Sequence, residues 1–152
     1  MKTSTIQPRI ACISASSLLI AMLVGCAAYT SPVPASEAKK TPVSRVLSFQ
    51  NPTRQQTGTI VVTRDSGSLG WMCFTELSVN GQIAARFDAE ETASFSLPPG
   101  DVLLRVGADS AGGGICTKGI YVTRESTIKV GETKYFRISR SMDMIDIQRV
   151  DR

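Results

Sequence analysis

The sequence predicts an all-β protein, a single small antiparallel β-sandwich of seven or eight short strands that begins near residue 58. From Gly58 onward apolar residues recur at every second position, the period of strands with one buried face, and there is no helical stripe of apolar residues. Turn residues separate these runs at regular intervals, most clearly at Asn80-Gly81, Pro98-Pro99-Gly100 and Gly131-Glu132. Regularly spaced short strands of this kind are typical of a sandwich.

The first half of this region contains four predicted strands. Asn80-Gly81 is the strongest turn signal in the chain, because a two-residue type I′ hairpin turn requires positive φ at both of its residues. The expected strands are 59–63, a strand with Cys73, Thr75, Leu77 and Val79 on one face, 82–87 with Ile83, Ala85 and Phe87 in phase, and a strand with Ala93, Phe95 and Leu97 in phase.

The second half begins at Pro98-Pro99-Gly100, which turns the chain into a new strand. The expected elements are that strand with Val102, Leu104 and Val106 in phase, a glycine-rich loop at 109–114, a strand at 115–122, a hairpin of 127–130 with 135–138, and a last strand with Ile145 and Ile147. A slip of one residue in any strand would exchange its two faces. The predicted phase points Leu77, Phe95, Leu104, Phe136 and Ile147 into the core, and Glu76, Arg105 and Arg137 outward.

The N-terminus has the three zones of a secretory signal. Lys2 and Arg9 make its first zone positive, and the apolar stretch from Ile10 to Val24 is shorter than the roughly 20 residues of a membrane-spanning helix. The stretch ends in Leu23-Val24-Gly25-Cys26, which resembles the lipobox of bacterial lipoproteins. That resemblance implies that residues 1–25 are a signal peptide and that Cys26 is the lipidated first residue of the mature chain. The alternative is an ordinary secretory signal with Cys26 incidental.

The same resemblance predicts a compartment. Lipoproteins kept in the inner membrane commonly carry Asp after the lipidated cysteine, whereas this chain has Ala27. We therefore expect the lipid on Cys26 to anchor the protein in the outer membrane, facing the periplasm. Two or three acyl chains hold a protein durably on a bilayer, whereas a single chain binds only marginally.

Residues 26–57 are expected to form a lipidated, flexible tether ahead of the sandwich domain at 58–152. Small polar residues dominate this stretch, and its prolines break regular structure. A flexible chain of this length would average about 30 Å from end to end. Val43, Leu47 and Phe49 interrupt it with a weak alternation. Two interpretations stay open for these three residues: a short strand packed on the domain, or a segment that binds a partner.

The four cysteines have separate expected fates. Cys12 leaves with the signal peptide and Cys26 carries lipid, so Cys73 and Cys116 remain as one pair in an exported chain. Exported proteins meet an oxidising environment, and a Cys73–Cys116 disulfide is therefore predicted. Closing the loop between them would stabilise the domain by about 4 kcal/mol on the chain-entropy account. The alternative is two free buried thiols.

Three stretches together resemble a known class of small domains. They are FSLPPGDVLLRV at 95–106, IKVGETKYFRI at 128–138, and ELSVNGQIAARF at 76–87 with the strand before it. They are similar to the transthyretin-like sandwich domains of bacterial lipoproteins, including PEGA-type and carboxypeptidase-regulatory-like modules. The resemblance covers roughly residues 58–150 and implies the fold rather than a function, since its turns follow from hairpin chemistry. It implies no catalytic residue, and the cysteine pair is not part of its pattern.

Catalytic chemistry has little support in the sequence. The chain contains no histidine, which removes the usual general base and the commonest metal ligand. Asp65-Ser66-Gly67 lacks the spacing of a nucleophile elbow, and Gly112-Gly113-Gly114 lacks the lysine and the helix of a phosphate-binding loop. Glu90-Glu91 and the spaced Asp143 and Asp146 are explained as turn and outward-facing positions, with a carboxylate pair or a calcium site as the alternative. We expect no enzyme activity, no metal and no cofactor.

The charged and aromatic residues are the candidates for a binding surface. Of the 17 basic residues, 15 remain without Lys2 and Arg9 of the signal, and they alternate with the 13 acidic residues without a basic block, so nucleic acid is not an expected partner. Trp71 is the one tryptophan of the chain and is expected in the core beside the disulfide, or alternatively as an exposed binding anchor. Five arginines are expected on solvent faces, or alternatively around a site for an acidic ligand: Arg64, Arg86, Arg105, Arg124 and Arg137.

The function expected from these observations is structural. A lipid-anchored, non-enzymatic sandwich fits an accessory component that holds or stabilises a protein assembly of the envelope, with a protein partner whose identity the residues do not specify. The alternative is a module that binds an envelope ligand such as glycan or peptidoglycan.

Overall fold

The computed structural model describes residues 29–51, 57–69 and 72–151, and in this part of the chain nine strands form two sheets. The predicted all-β sandwich is confirmed. Eight of the strands lie between residues 58 and 150, and the ninth is a two-residue strand near the N-terminus. The strands are β1 (Lys39–Lys40), β2 (Gly58–Arg64), β3 (Thr75–Val79), β4 (Gln82–Phe87), β5 (Glu91–Leu97), β6 (Gly100–Ala108), β7 (Val122–Ile128), β8 (Thr133–Arg140) and β9 (Ile145–Val150).

The two sheets differ in size and in strand direction. The first sheet has the order β1-β5-β2-β8-β9, and the second has the order β4-β3-β6-β7. The second sheet is antiparallel throughout, whereas the first contains two parallel pairs, β1 with β5 and β2 with β8. Antiparallel pairing thus predominates, as the sequence predicts. In the described residues, no helix is long and apolar enough to cross a bilayer.

The core lies between the two sheets and follows the predicted phase. The inward residues Leu77, Phe95, Leu104, Phe136 and Ile147 are all buried members of one apolar cluster, and none is more than 4% exposed. Arg105 is exposed and Arg137 half-exposed. Glu76 is the exception among the outward residues, because the connection after β6 covers it.

The β3–β4 hairpin shows how local sequence sets register. Asn80 and Gly81 have φ of 50° and 83°, the positive values that the type I′ turn requires. Strand β4 has the predicted bounds, but a bulge opposite Leu77 and Ser78 changes its phase. Ala84 and Ala85 are consequently both buried, and Ile83 is only half-buried.

Two predicted elements after β6 are wrong. Residues 115–122 are not a strand: Gly114–Thr117 form a 3-10 helix, and β7 begins only at Val122. Gly113 and Gly114 adopt φ of 61° and 55°, which bends the chain away from an extended course. The predicted hairpin across Gly131 is not formed either, because β7 pairs with β6 while β8 pairs with β2 and β9. The turn instead carries the chain from one sheet to the other.

Residues 29–51, called the N-terminal segment below, lie along the sandwich where the sequence analysis expected a flexible tether. Tyr29 of the segment pairs with Ser141, the residue after β8, and β1 pairs with β5. It then forms a 3-10 helix at Val43–Arg45 and pairs with β4 through Val46 and Ala85. Val46 and Phe49 pack against the core, whereas Val43 and Leu47 are exposed. Backbone hydrogen bonds to strand edges, which need no apolar pattern, hold this irregular chain in place.

Candidate functional site

One end of the sandwich carries most of the long connections. The chain leaves β2, β4, β6 and β8 at the same end. Strands β2 and β8 run parallel, the ends of β4 and β6 both lie opposite the start of β3, and the start of β5, which follows β4, lies beside the end of β2. The short connection at 88–90 joins the two sheets there. We call this the loop end, and the turns at Asn80-Gly81, Pro98-Pro99 and 129–132 form the opposite end.

The predicted disulfide joins two connections of the loop end. Cys73 and Cys116 are bonded, with their Cα atoms 5.3 Å apart across a sequence separation of 43 residues. The bond brings the connection after β6 against the residues that precede β3, and Cys116 Sγ lies 3.5 Å from the Met72 carbonyl oxygen. The disulfide therefore joins the two connections just beyond the point where the β3–β6 ladder ends, at Thr75 and Ala108. The proposed lipid site, Cys26, lies outside the described residues.

A buried polar network supports the same connection from below. Asp109 accepts a hydrogen bond from Arg86 Nε at 2.7 Å, and Glu76 accepts one from the Ser110 amide at 3.1 Å. The Ser110 hydroxyl also donates to Glu76, and Arg86 Nη2 lies 3.9 Å from the same carboxylate. Two carboxylates thus share one arginine and fix the first residues after β6. This explains why Glu76 and Arg86 are not free on a solvent face.

Arg64 is buried, contrary to the expectation of a solvent-facing arginine. It is 2% exposed, and its guanidinium donates to the carbonyl oxygens of Phe87 at 2.8 Å and Cys73 at 3.2 Å. Burial lowers the pKa of the Arg64 guanidinium, and the negative charges of Asp88 and Glu91 oppose that shift. Arg64 therefore connects the end of β2 to the start of β3 and the end of β4.

Asp65 fixes the N-terminal segment at the loop end. It is 1% exposed and accepts two hydrogen bonds from Arg137, at 3.1 Å from Nε and 2.6 Å from Nη2. Thr30 Oγ1 donates to the same carboxylate at 3.1 Å and accepts the Arg140 amide at 2.8 Å. The Thr30 amide in turn donates to the Arg140 carbonyl oxygen at 3.0 Å. The chain is thereby held on β8 three or four residues after Cys26.

Large apolar side chains are exposed around the loop end. The connections after β2, β6 and β8, together with the start of the N-terminal segment, present side chains that are between 57% (Ile120) and 79% (Met142) exposed. Tyr29 and Met144 border one hollow of about 290 Å³, and Met144 also borders a smaller hollow with Ile120 and Met142. We call this set the apolar patch: Tyr29, Met72, Ile115, Ile120, Met142 and Met144.

A groove of about 410 Å³ runs along the outer face of the first sheet. The N-terminal segment forms one wall, from Pro32 to Ser36, and strands β8 and β9 form the other. Tyr135, Arg137 and Val150 lie on the sheet side. The groove combines an aromatic ring, a guanidinium and apolar walls, a lining that suits an extended peptide or a saccharide.

The other residues singled out in the sequence have structural contacts. Ser66 pairs with Ser31 through backbone and hydroxyl hydrogen bonds. Glu91 is bound by both terminal nitrogens of Arg45, whose guanidinium also lies 4.4 Å from the centre of the Phe74 ring. Asp146 pairs with Arg124 at 2.9 Å. Among the described residues, no group of three or more His, Cys, Asp or Glu side chains is placed to hold a metal ion.

The sequence did not indicate the structural roles of two arginines, the buried Arg64 and the Glu91-bound Arg45. The strand pattern predicts Arg64 on a solvent face and assigns Arg45 no role, because period-two alternation assigns a face and does not show what covers it. Trp71, expected near the disulfide, lies outside the described residues.

In comparisons with known proteins, no family model matches this chain, and no curated protein matches it significantly.

Proposed function

We propose that this chain is a non-enzymatic lipoprotein of the bacterial envelope, anchored in the outer membrane by lipid on Cys26 and facing the periplasm. The observation that carries the proposal is the N-terminal sequence, in which Lys2, Arg9 and the apolar stretch to Val24 lead into Leu23-Val24-Gly25-Cys26. Ala27 in place of Asp favours the outer membrane. The disulfide between Cys73 and Cys116 is consistent with an exported, oxidised chain.

The same proposal gives the folded part an accessory role in a protein assembly. The buried charges Asp65, Glu91 and Asp109 are each bound by an arginine, so they contribute to holding the chain together rather than to acid–base chemistry. The N-terminal segment covers the β5 edge and part of the β4 edge, and among the described strands β7 and β9 are outermost on the opposite side of the two sheets. We assign the sandwich to the transthyretin-like modules on the motifs at 76–87, 95–106 and 128–138, whose turns initiate β4, β6 and β8.

A second candidate function has one specific observation in its favour. The groove beside Tyr135 and Arg137 is of a size for a short saccharide or peptide stem, which favours a module that binds glycan or peptidoglycan. A ligand there would contact the N-terminal segment and the first sheet together. Its position on the side of the sandwich leaves the loop end free.

Labelling and retention experiments separate the possibilities. Cells that express the full chain should incorporate palmitate into the wild type and none into Cys26→Ser, and labelled Cys26→Ser would refute the anchor. Purified wild type should then be mixed with isolated peptidoglycan sacculi. Sedimentation with sacculi that is lost in Tyr135→Ala would favour the ligand-binding function. Failure to sediment, together with site-specific cross-links from β7 to one envelope protein in living cells, would favour the assembly role.

A further inference from the structure

The distance between the proposed anchor and the sandwich is short. Two residues, Ala27 and Ala28, lie between Cys26 and Tyr29. The three Cα-to-Cα steps of an extended chain, each at most about 3.6 Å, span roughly 11 Å in total. Tyr29 pairs with Ser141, and Thr30 is hydrogen-bonded to Arg140 and Asp65. A lipid on Cys26 would therefore hold the loop end close to the bilayer, whereas a flexible tether through residue 57 would leave the domain free to move away.

The loop end has the surface chemistry of a membrane contact. Its exposed large side chains are the methionines, isoleucines and tyrosine of the apolar patch, grouped around Ser141 and the disulfide. Tyrosine is enriched where apolar side chains meet lipid headgroups, since its ring is apolar and its hydroxyl stays hydrated. The exposed charges at this end include both signs, among them Lys118 and Asp143 and the Lys39–Glu90 pair beside the 88–90 connection. Apolar contact rather than attraction to anionic lipid is therefore the mode of binding that this end favours.

The strand topology places the loop end far from the opposite end of the sandwich. The turns after β3, β5 and β7 lie at the opposite end, and β6 spans nine residues between the two ends. At about 3.3 Å per residue, that strand separates the ends by roughly 30 Å. Val130, in the turn after β7, is half exposed and lies at the far end. A probe at position 130 and a probe at position 144 therefore lie at opposite ends of the sandwich.

We propose that the loop end rests on the lipid bilayer that holds Cys26, with the apolar patch at the level of the headgroups. This inference rests on the proposed lipidation of Cys26. It adds an orientation: the strands stand away from the membrane, and the edges of β7 and β9 and the lateral groove stay accessible from the periplasm. The disulfide and the Glu76–Arg86–Asp109 network then serve to keep the membrane-facing loops in a fixed shape.

Fluorescence quenching by brominated lipid tests the proposal on the full lipidated chain. Two reporters are made in the Trp71→Phe background, Met144→Trp at the loop end and Val130→Trp at the far end, so that each protein has a single tryptophan. Both are reconstituted in vesicles of phosphatidylethanolamine and phosphatidylglycerol, with or without chain-brominated phosphatidylcholine. We expect the tryptophan at 144 to be quenched at least two-fold more than the one at 130, with its emission shifted to shorter wavelength. Met142→Trp provides a second loop-end reporter if Met144→Trp does not fold.

The outcomes separate this inference from the proposed function. If the wild type carries no palmitate and does not float with vesicles, both proposals fail. If it is labelled and floats but the loop-end and far-end reporters are quenched equally, only the orientation is refuted. A blue-shifted emission at 144 without quenching would mean that protein rather than lipid covers the patch, and it would also refute the membrane contact.

Discussion

At the scale of residues, Asp65 joins three parts of the chain through one buried carboxylate. Its carboxylate is buried and accepts hydrogen bonds from two nitrogens of Arg137 and from the hydroxyl of Thr30. It therefore connects the end of β2 to β8 and to the N-terminal segment. A charge in this position is favourable only while its partners are present, because an unpaired buried charge is costly.

Asp65→Asn should therefore destabilise the protein by about 2–4 kcal/mol, since it leaves the partly buried Arg137 without its counter-charge. Asp146→Asn is the matched control, because its partner Arg124 is mostly exposed and such pairs contribute at most about 1 kcal/mol. Urea unfolding of a soluble form that begins at Ala27 would measure both. Equal losses for the two variants would contradict the role given to Asp65.

At the scale of elements, the period-two pattern determines which side chains form the core. Leu104 is fully buried in β6, and its neighbour Arg105 is exposed with its guanidinium 4.1 Å from the centre of the Tyr121 ring. Leu104→Ala should cost about 2–5 kcal/mol, as is usual for a packed leucine. Arg105→Ala should cost less than about 1 kcal/mol, the value of an exposed cation–π contact. A larger loss for Arg105→Ala in urea unfolding would mean that the faces of β6 are reversed.

The disulfide acts on the connections rather than on the strands. It closes a separation of 43 residues, and the chain-entropy account gives such a bond about 4 kcal/mol. Replacing Cys73 and Cys116 together by Ser should lower the free energy of unfolding by about 2–4 kcal/mol. The strands should persist, because the apolar core does not include either cysteine. A reductant should lower the stability of the wild type and leave the double variant unchanged, and an equal response of both would argue against the bond.

Local rules predicted the strands that are closed by short turns and failed where a longer-range contact decides the conformation. Asn80-Gly81 fixed the β3–β4 hairpin because both residues favour positive φ. Gly131 also makes a turn, but its sequence does not state whether the next strand pairs with β7 or joins the other sheet. Residues 114–117 form a 3-10 helix that starts at Gly114 and contains the disulfide-bonded Cys116. A pattern of apolar residues does not show how the glycines and the disulfide shape this connection.

At the scale of the whole molecule, the N-terminal segment changes the expected geometry most. Its sequence has prolines and small polar residues, so composition predicted a flexible tether. The partners of Thr30 and Arg45 lie 35 and 46 residues further along the chain, at Asp65 and Glu91, and such pairings cannot be inferred from composition. Of the candidate site, only the disulfide between Cys73 and Cys116 was predicted from the sequence. The loop end and its apolar patch were recognised from the strand topology.

The resulting picture is a sandwich with distinct ends and sides. The loop end holds the disulfide and the start of the N-terminal segment, and one side is covered by that segment at β4 and β5. The opposite side, formed by β7 and β9, and the lateral groove remain for a partner or a ligand. Which end of the sandwich faces the membrane depends on the proposed lipid anchor at Cys26.

Intact-mass spectrometry of the protein extracted from membranes tests the anchor most directly. After expression of the full chain in a bacterium with two membranes, we expect a polypeptide that starts at Cys26, carries a diacylglyceryl group and a further acyl chain, and retains the Cys73–Cys116 bond. An unlipidated polypeptide that starts at any other residue, or one that keeps residues 1–25, would contradict the anchor.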